Sequence, residues 1–576
     1  MKTLIIKSAV IKYIPILHFR NKDKIKTNKT TLLYNFTKCL STWVYEIGQA
    51  SIFVFFICIF LFVIFVTKVI LFFIPTYNFF IFVHILTWMK EEQVILVDKK
   101  DNPIGLMHKM EAHEKALLHR AFSVFIFNTK GELLLQRRAA TKYHSPKLWT
   151  NTVCSHQRQN EENIEAGERR LQEEMGMTTE LREIFHFIYK AAFDNGLTEH
   201  ELDHVMIGFS NSNPKPNPDE VMGYKWEKLN TIQKDIQQHP EQYTEWFKVI
   251  FANSYDKLKE ALEIRMLQYP LFFKPIFKKK PWGGNKLNQI LNKKTKEQHV
   301  GESWEISAIQ SNYSKVSGGY FANWDLEKLV DTYKERFVGK NIYKKFGSNF
   351  PLLIKFIDAA DDLSVQVHPN DKIAKEIHQS FGKNELWHIV QANQNAILYL
   401  GFKKGTDKND YLRHLEHGTL EQILNQIPVK TGDTYYIPAG TVHAIGKGIL
   451  LAEIQQTSDV TYRIFDWNRL GLNGKSRELH TELALKAIRF DAKPEKKSVS
   501  DIETPYFKIK KRILTSNLEI DLSKRDSFVI FMNVSNGFFE INDRKIHKGK
   551  TVLLPATATK VKIKTIQKGE LLEIYL

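Results

Sequence analysis

The sequence is poor in cysteine, and this scarcity limits both its fold class and its location. Only three cysteines, Cys39, Cys58 and Cys154, occur in 576 residues, so a disulfide framework is excluded. A lone thiol in the chain after residue 88 is typical of a reducing compartment. We therefore predict a cytoplasmic protein.

Signatures of nucleic-acid binding are absent as well. The chain carries a net charge of +18, but it has no Arg-rich arm, no zinc-finger spacing and no helix–turn–helix pattern. We predict no nucleic-acid partner and interpret the positive charge as suited to small anionic molecules. The sequence does not define an oligomeric state.

The length of the chain predicts two or more domains, although no Gly/Ser-rich linker separates them. We expect a mixed α/β domain over residues 89–263, a β-rich catalytic domain over residues 266–495 and a small β domain over residues 496–576. Met266 opens a segment that resembles a second start (MLQYPLFFKP), as expected from fused genes.

Residues 1–88 differ from the rest of the chain. Residues 51–66 are nearly all apolar (SIFVFFICIFLFVIFV), and the apolar run resumes after Lys68, which predicts a transmembrane span. The basic residues 20–29 conflict with this, because they favour the cytoplasmic side and would place everything after a single span outside. The alternative is that Met89 is the natural start and residues 1–88 are an extension that is rarely or never translated. Both interpretations stay open: a cytoplasmic protein, or one associated with the membrane through residues 51–88.

The segment after Met89 shows alternating strand and helix patterns. Strands are predicted at Gln93–Val97 and Phe122–Phe127, with a turn at residues 130–131. Apolar spacing predicts a helix over residues 161–175 that Gly176 ends. A second helix, residues 255–267, crosses the expected domain junction.

Residues of metal-ligand type are spread through this first half. Imidazole and carboxylate ligands suit Mn²⁺, Zn²⁺ or Mg²⁺. Glu199 and Glu201 alternate, so both carboxylates lie on one face of a strand, and Cys154 stands two residues before His156. A thiol facing a carboxylate suits proton addition on one side of a substrate and removal on the other. The candidates are His113, His119, His156, Glu199 and Glu201, together with Cys154.

Residues 155–177 nearly fit the Nudix box, Gly-x5-Glu-x7-Arg-Glu-U-x-Glu-Glu-x-Gly-U, where U is a bulky aliphatic residue. Ser155 replaces the first glycine, and Arg170 replaces the glutamate that follows the arginine. In a hydrolase of this fold, the box carboxylates hold metals for pyrophosphate cleavage. An arginine at this position adds a contact for a diphosphate and argues against hydrolysis.

Six segments carry a resemblance to a known family over residues 89–260. They are KMEAH (109–113), LLHRAFSVFIFN (117–128), LLLQRRA (133–139), LWTNTVCSH (148–156), EHELD (199–203) and DEVMGYKW (219–226). This half resembles type I isopentenyl-diphosphate Δ-isomerase, a Nudix-fold enzyme.

The resemblance implies a role for each matched residue. Cys154 and Glu201 would be the acid–base pair on opposite faces of the alkene, Tyr189 would assist, and Trp226 would stabilise a carbocation. The implied ligands of Mn²⁺ or Zn²⁺ are His113, His119, His156, Glu199 and Glu201, and Glu174 would hold a Mg²⁺ that binds the diphosphate. The implied diphosphate contacts are Lys109, Arg138, Lys142 and Arg170.

The β-rich half contains a second set of ligand-type residues, Gln366, His368, Glu385 and His443. Gln366 and His368 alternate on a predicted strand, and the other two come from later strands, which is typical of a cupin-type barrel. An amide, a carboxylate and two imidazoles suit Zn²⁺ with an open position for substrate. Lys355, Lys383 and Arg463 add cations that suit a sugar phosphate and its enediolate.

This half resembles a type I mannose-6-phosphate isomerase of the short bacterial kind over residues 269–576. The motifs are WGG (282–284), GESWEIS (301–307), PLLIKFIDA (351–359), LSVQVHP (363–369), GKNELW (382–387), IPAGTVHAIGKG (437–448) and LAEIQQTSDVTYRIFDWNR (451–469). The resemblance implies Zn²⁺ on Gln366, His368, Glu385 and His443, with Arg463 as the catalytic cation. Glu453 and Lys383 would line the pocket, and the base stays unassigned.

Together these features predict a bifunctional isomerase that acts on small phosphorylated metabolites, with an α/β Nudix fold followed by mainly β cupin-type domains. Two alternatives remain: a Nudix pyrophosphohydrolase fused to a sugar-binding cupin, and a non-catalytic scaffold tethered to the membrane.

Overall fold

The computed structural model describes residues 92–193, 196–497 and 500–576. The apolar segment 51–88, and with it the predicted transmembrane span, lies outside the described residues. Among the helices of these three ranges, none is long and apolar enough to cross a membrane.

The first half is a nine-stranded mixed sheet with helices packed on it. Its strands are β1 (Gln93–Val97), β2 (Pro103–His108), β3 (His119–Phe127), β4 (Glu132–Arg138), β5 (Trp149–Thr150), β6 (Val153–Ser155), β7 (Leu181–Ala192), β8 (Thr198–Phe209) and β9 (Val221–Lys228). Its helices are α1 (Lys109–Glu114), α2 (Asn163–Met175), α3 (Leu229–Gln238), α4 (Glu245–Asn253) and α5 (Tyr255–Met266), with a 3₁₀ turn at Pro240–Gln242.

The centre of this sheet is the pair β3 and β8, which run parallel with His119 opposite Glu201. β3 (HRAFSVFIF) is almost continuously apolar and buried, as strands covered on both faces are. The two strands predicted here, the turn around Gly131 and the helix ending at Gly176 are confirmed.

Helix α2 begins two residues later than predicted. Glu162 is its N-cap, and Glu162 and Glu165 form a reciprocal capping box. Glu161 stays outside the helix, where its carboxylate pairs with Arg169 at 2.6 Å. Gly176 closes the helix in the left-handed conformation (φ 61°), which a residue with a Cβ adopts at a cost.

The second half begins with two sheets. The seven-stranded sheet contains β10 (Ile276–Gly284), β11 (Val300–Ile306), β14 (Leu352–Ala359), β16 (Glu385–Ala392), β19 (Thr434–Ile437), β21 (Ile449–Gln456) and β23 (Glu495–Lys496). The five-stranded sheet contains β15 (Val365–Val367), β17 (Ile397–Phe402), β18 (Leu424–Pro428), β20 (His443–Ile445) and β22 (Tyr462–Phe465), and β12 (Ala308–Ile309) and β13 (Asn312–Tyr313) form a separate hairpin.

Short helices connect these strands. They are α6 (Lys286–Gln289), α7 (Leu326–Tyr333), α8 (Glu335–Val338), α9 (Lys340–Phe346), α10 (Asp371–His378), α11 (Lys408–Glu416) and α12 (Thr481–Ala487), with a 3₁₀ turn at Leu420–Ile423. Buried apolar side chains from both sheets share one core, for example Ile389 and Leu398. This arrangement agrees with the predicted cupin-type architecture.

The C-terminal segment forms two further sheets around their own apolar cluster. One contains β24 (Asp501–Glu503), β25 (Lys508–Leu514), β27 (Val529–Asn533), β30 (Thr551–Leu554) and β32 (Gly569–Tyr575). The other contains β26 (Leu518–Asp521), β28 (Phe538–Ile541), β29 (Arg544–Ile546) and β31 (Lys560–Gln567). A small β domain at this end was predicted; the domain boundaries themselves stay predictions.

One apolar cluster continues from the first half into the second. It includes Phe125 and Leu262 on one side and Phe356 and Ile530 on the other, all buried, and Gln93–Leu576 form one compact unit. The ring of Tyr320 packs on Gly131, so closely that a Cβ at Gly131 would lie 2.1 Å from the Tyr320 Cδ2 atom. The Tyr320 hydroxyl also donates to Glu263 at 3.1 Å.

Candidate active sites

The first centre gathers three histidines and one glutamate from four segments. His113 lies on α1, His119 begins β3, His156 follows β6 and Glu201 lies on β8. One ligand atom from each of the four lies within 4.8 Å of the others. The Nε2 atoms of His113 and His119 are 3.2 Å apart, and the Glu201 Oε1 atom lies 3.1 Å from His156 Nε2 and 3.5 Å from His119 Nε2.

Burial sets the charge state of these side chains. It lowers the pKa of His113 to about 3 and that of His156 to about 4, so both imidazoles are neutral at physiological pH. Burial alone would raise the pKa of Glu201, but hydrogen bonds with His119 and His156 hold it well below its usual range. Neutral imidazoles and an ionised carboxylate are the forms that ligate divalent cations.

Glu199, the fifth predicted ligand, lies outside this group of four. Its Oε1 atom is 3.5 Å from His144 Nε2, and its Oε2 atom is 2.9 Å from the Tyr189 hydroxyl. The same hydroxyl is 2.7 Å from Glu201. Burial, and then the charge of Glu201, raise the pKa of Glu199 well above its usual range. The structure thus brings together Tyr189 and both glutamates as predicted, and adds His144.

Cys154 lies on β6, directly opposite Ser123 of β3. It is half-buried, and its Sγ atom is 3.8 Å from Arg138 Nη1. Burial raises the pKa of the thiol to about 12, so it carries its proton at neutral pH. Trp226 lies on β9 and packs against an apolar cluster that contains Val153, the neighbour of Cys154 in the chain.

Two of the four predicted diphosphate contacts, Arg170 and Lys142, lie around the predicted magnesium ligand Glu174, whereas Lys109 lies over the ring of Tyr143 and Arg138 over that of Trp246. Arg170 pairs with Glu174 at 2.6 Å and with Glu220 at 3.4 Å, and Lys142 pairs with Glu220. Gln136 donates to Glu174 at 3.0 Å. Glu220, which lies within the segment DEVMGYKW, is a site residue that was not predicted.

The second centre lies between the two sheets of the cupin-type domain. Ligand atoms of His368, Glu385 and His443 lie within 4.8 Å of one another. Gln366, directly opposite His443 on β15 and β20, has its Nε2 atom 3.2 Å from that of His443. All four predicted ligands therefore meet.

Main-chain carbonyls orient both histidines of this centre. The Nδ1–H of His368 donates to the carbonyl of Val460 at 3.0 Å, and that of His443 donates to the carbonyl of Thr441 at 2.9 Å. Each bond leaves an Nε2 lone pair facing Glu385. Among the described residues, neither buried Glu385 oxygen accepts a hydrogen bond of normal geometry, although the Lys383 ammonium lies 2.6 Å from one of them.

Cations surround this centre. The Lys383 Nζ atom lies 2.6 Å from Glu385 and 3.0 Å from His368 Nε2. Lys355 pairs with Glu453 at 2.7 Å; burial opposes the charge of Lys355, but the nearby carboxylates raise its pKa above the usual value.

Arg463, the predicted catalytic cation, lies directly opposite Gln366 in the β15–β22 pair. Paired residues of neighbouring strands extend from the same face of a sheet. The Arg463 side chain therefore leaves the sheet beside the ligand set. A further ion pair, which no sequence pattern indicated, joins the buried Glu302 to the half-buried Lys280 at 3.0 Å.

Comparisons with known proteins match two different families to two successive parts of the chain. The family described as NUDIX domain matches residues 117–247, and the family described as phosphomannose isomerase type I, catalytic domain, matches residues 271–388.

Two curated relatives each match one half. An isopentenyl-diphosphate Delta-isomerase 2 of Aromatoleum aromaticum is 51% identical over 156 residues, which cover 27% of this chain and 82% of the relative. The mannose-6-phosphate isomerase ManA of Bacillus subtilis is 36% identical over 306 residues, which cover 50% of this chain and 94% of the relative. A solved mannose 6-phosphate isomerase from Bacillus subtilis is 31% identical, with a TM-score of 0.48, over 54% of this chain and 100% of that one.

Proposed function

We infer the chemistry of both centres from the families to which the chain belongs, the isopentenyl-diphosphate isomerases for its first half and the mannose-6-phosphate isomerases for its second. The chain is a bifunctional isomerase. The observation that carries this conclusion is that each half brings together a group of metal-ligating side chains, His113, His119, His156 and Glu201 in one and His368, Glu385 and His443 in the other.

In the first centre, Cys154 and Glu201 exchange protons with the two ends of an allylic system. Isomerisation of isopentenyl diphosphate adds a proton to one carbon and removes a proton from another, so it needs one group that gives a proton and one that takes a proton. The protonated Cys154 thiol and the ionised Glu201 carboxylate are such a pair. Tyr189, within hydrogen-bonding distance of both Glu199 and Glu201, passes a proton between the two carboxylates.

Two cations fit the first centre. The three imidazoles and Glu201 suit Mn²⁺ or Zn²⁺, and Glu174 suits Mg²⁺. When bound, the cations fix the carboxylates and neutralise the diphosphate charge. We propose Lys109, Arg138, Lys142 and Arg170 as the protein's contacts to that diphosphate. Trp226 shields the positive charge that develops on the hydrocarbon.

In the second centre, Gln366, His368, Glu385 and His443 suit Zn²⁺, which polarises the sugar oxygens when bound. Mannose 6-phosphate and fructose 6-phosphate differ by a proton shift between C1 and C2. We propose that Arg463 and Lys383 stabilise the negative enediolate of that shift. Lys355 holds Glu453 in the pocket by the ion pair described above.

The experiment that tests both reactions uses substrate labelling in D₂O. The full chain is given isopentenyl diphosphate or fructose 6-phosphate, and the products are read by NMR for deuterium gained from solvent. Dimethylallyl diphosphate and C2-deuterated mannose 6-phosphate are the expected products. Release of inorganic phosphate from isopentenyl diphosphate, without isomerisation, would favour a pyrophosphohydrolase and overturn the first assignment.

Two variants serve as each other's control. Glu201→Gln should abolish the first reaction and leave the second intact, and Glu385→Gln should do the reverse.

We propose the cytoplasm as the place of both reactions, because the substrates are small phosphorylated metabolites.

A further inference from the structure

A third group of metal-ligating side chains lies on the β7–β8 hairpin, away from both centres. His186 of β7 is directly opposite His204 of β8, and their ring centroids are 5.3 Å apart. The register shifts between Glu183 and Phe185, and such a bulge brings the Glu183 carboxylate to the face that His186 occupies. One ligand atom from each of Glu183, His186 and His204 lies within 4.8 Å of the others.

His204 lies between two carboxylates, those of Glu183 and Asp101. The residue is only 3% exposed, and its Nε2 atom lies 3.2 Å from Asp101 Oδ2. Asp101 is held in turn by Arg120, whose Nε donates to it at 2.8 Å. A carboxylate that faces one ring nitrogen and orients the other toward a metal is the usual arrangement behind ligating histidines.

The His204 Nδ1 atom makes a 2.8 Å hydrogen bond with Glu183 Oε1, and its buried Nε2 atom has no hydrogen-bond partner of normal geometry among the described residues. A divalent cation that binds here takes the place of the shared proton, as metal binding to imidazole and carboxylate ligands releases protons. The nearby His186 Nδ1 atom, 3.8 Å from the same oxygen, supplies a further ligand for a metal ion.

We propose that Glu183, His186 and His204 form a third metal site, which binds a zinc-class divalent cation. Two imidazoles and a carboxylate suit Zn²⁺ and leave a fourth position for water. The side chains of His186 and Glu183 are 57% and 32% exposed, so an ion enters without any unfolding.

The site is separate from the first catalytic centre. His204 lies three residues beyond Glu201 on β8, and an odd separation along a strand places side chains on opposite faces. The bound ion therefore joins β7 to the back of the strand that carries Glu199 and Glu201, and it does not take part in the isomerisation. This inference does not depend on the substrates proposed above.

Zinc stoichiometry of the full chain tests the site. Equilibrium dialysis against Zn²⁺ is compared for the wild type, His186→Gln and the control His239→Gln, whose side chain is also half-exposed, at 51%. The wild type and the control should bind one more zinc ion per chain than His186→Gln, and both isomerase activities should be equal in all three proteins.

A second variant tests the orienting carboxylate. Asp101→Asn keeps all three ligands, and it should weaken the affinity of the third zinc ion by about 10- to 100-fold, as is typical when such a partner is lost. Equal zinc content in the wild type and His186→Gln would overturn the proposal, because the three side chains would then hold no ion. Equal loss of zinc from the control would overturn it as well.

Discussion

The contact between Gly131 and Tyr320 predicts that Gly131→Ala destabilises both halves of the chain together. Gly131 has φ +72°, and a left-handed conformation costs a residue with a Cβ about 1–2 kcal/mol. The new methyl group would also lie 2.1 Å from the Tyr320 ring. That ring is anchored by its hydrogen bond to Glu263, so it cannot simply rotate away, and overpacking of this kind costs about 1–3 kcal/mol. We therefore expect a total loss of about 2–5 kcal/mol in the free energy of unfolding.

Gly474→Ala is the matched control. Gly474 also has φ +72°, but nothing lies within 4 Å of a Cβ at that position. Both glycines donate their N–H to the carbonyl three residues earlier in a turn. The control should lose only the conformational part, about 1–2 kcal/mol, and the difference between the two variants isolates the contact with Tyr320.

The assay is urea unfolding, followed by the two isomerase activities in the same samples. In Gly131→Ala both activities should disappear at one lowered urea concentration, because the apolar cluster crosses from one half to the other. Adding Tyr320→Ala to Gly131→Ala should recover the part of the loss that comes from the clash. Equal losses in Gly131→Ala and Gly474→Ala would refute the contact. An unchanged midpoint for the mannose-6-phosphate activity would refute the shared core.

Three further predictions concern single side chains. Cys154→Ala should lower the rate of isopentenyl diphosphate isomerisation by about 10²–10⁴-fold, as expected for removing a proton-transfer group. Mannose 6-phosphate turnover by the same protein is the internal control. A normal rate of isopentenyl diphosphate isomerisation would contradict the role of the thiol. His443→Ala should cost the full chain one zinc ion by metal analysis together with its fructose 6-phosphate activity, because an imidazole ligand is lost from the site; full zinc occupancy would mean that the ligand set is wrong. His388 is buried, and its pKa is lowered to about 3. The unfolded state therefore binds a proton at this residue near pH 6.5, whereas the folded state does so only near pH 3. The free energy of unfolding consequently falls as the pH decreases between these values. Between pH 6.5 and 5, urea unfolding should show the wild type losing about 1.5 kcal/mol more than His388→Gln, and equal losses would contradict this.

The positions of several candidate ligands could be predicted because their spacing follows local geometry. Glu199 and Glu201 alternate, as do Gln366 and His368, and a period of two places such side chains on one face of a strand wherever that strand packs. The structure confirms that the second pair meets Glu385 and His443. The predicted helix over residues 161–175 was nearly right, but its start was wrong, because Glu161 pairs with Arg169 and leaves Glu162 to cap the helix.

Features that depend on distant packing were not predictable. His144 joins Glu199 from a segment without strand or helix periodicity. Tyr320 reaches Gly131 across almost two hundred residues, and no pattern in either segment indicates a partner. The third metal group also depends on long-range pairing, because His186 and His204 meet only through the register of β7 and β8.

The main-chain carbonyls that orient the ligating histidines affect how the enzyme tolerates mutation. His119, His368 and His443 each donate Nδ1–H to a carbonyl, those of Leu117, Val460 and Thr441. A carbonyl belongs to every residue type, so substitutions at these three positions leave the acceptor in place. The ring orientation in both catalytic centres should therefore be preserved when these carbonyl-bearing residues are substituted. At the proposed third site the group that faces the ring is the side chain of Asp101, so one substitution suffices to remove it.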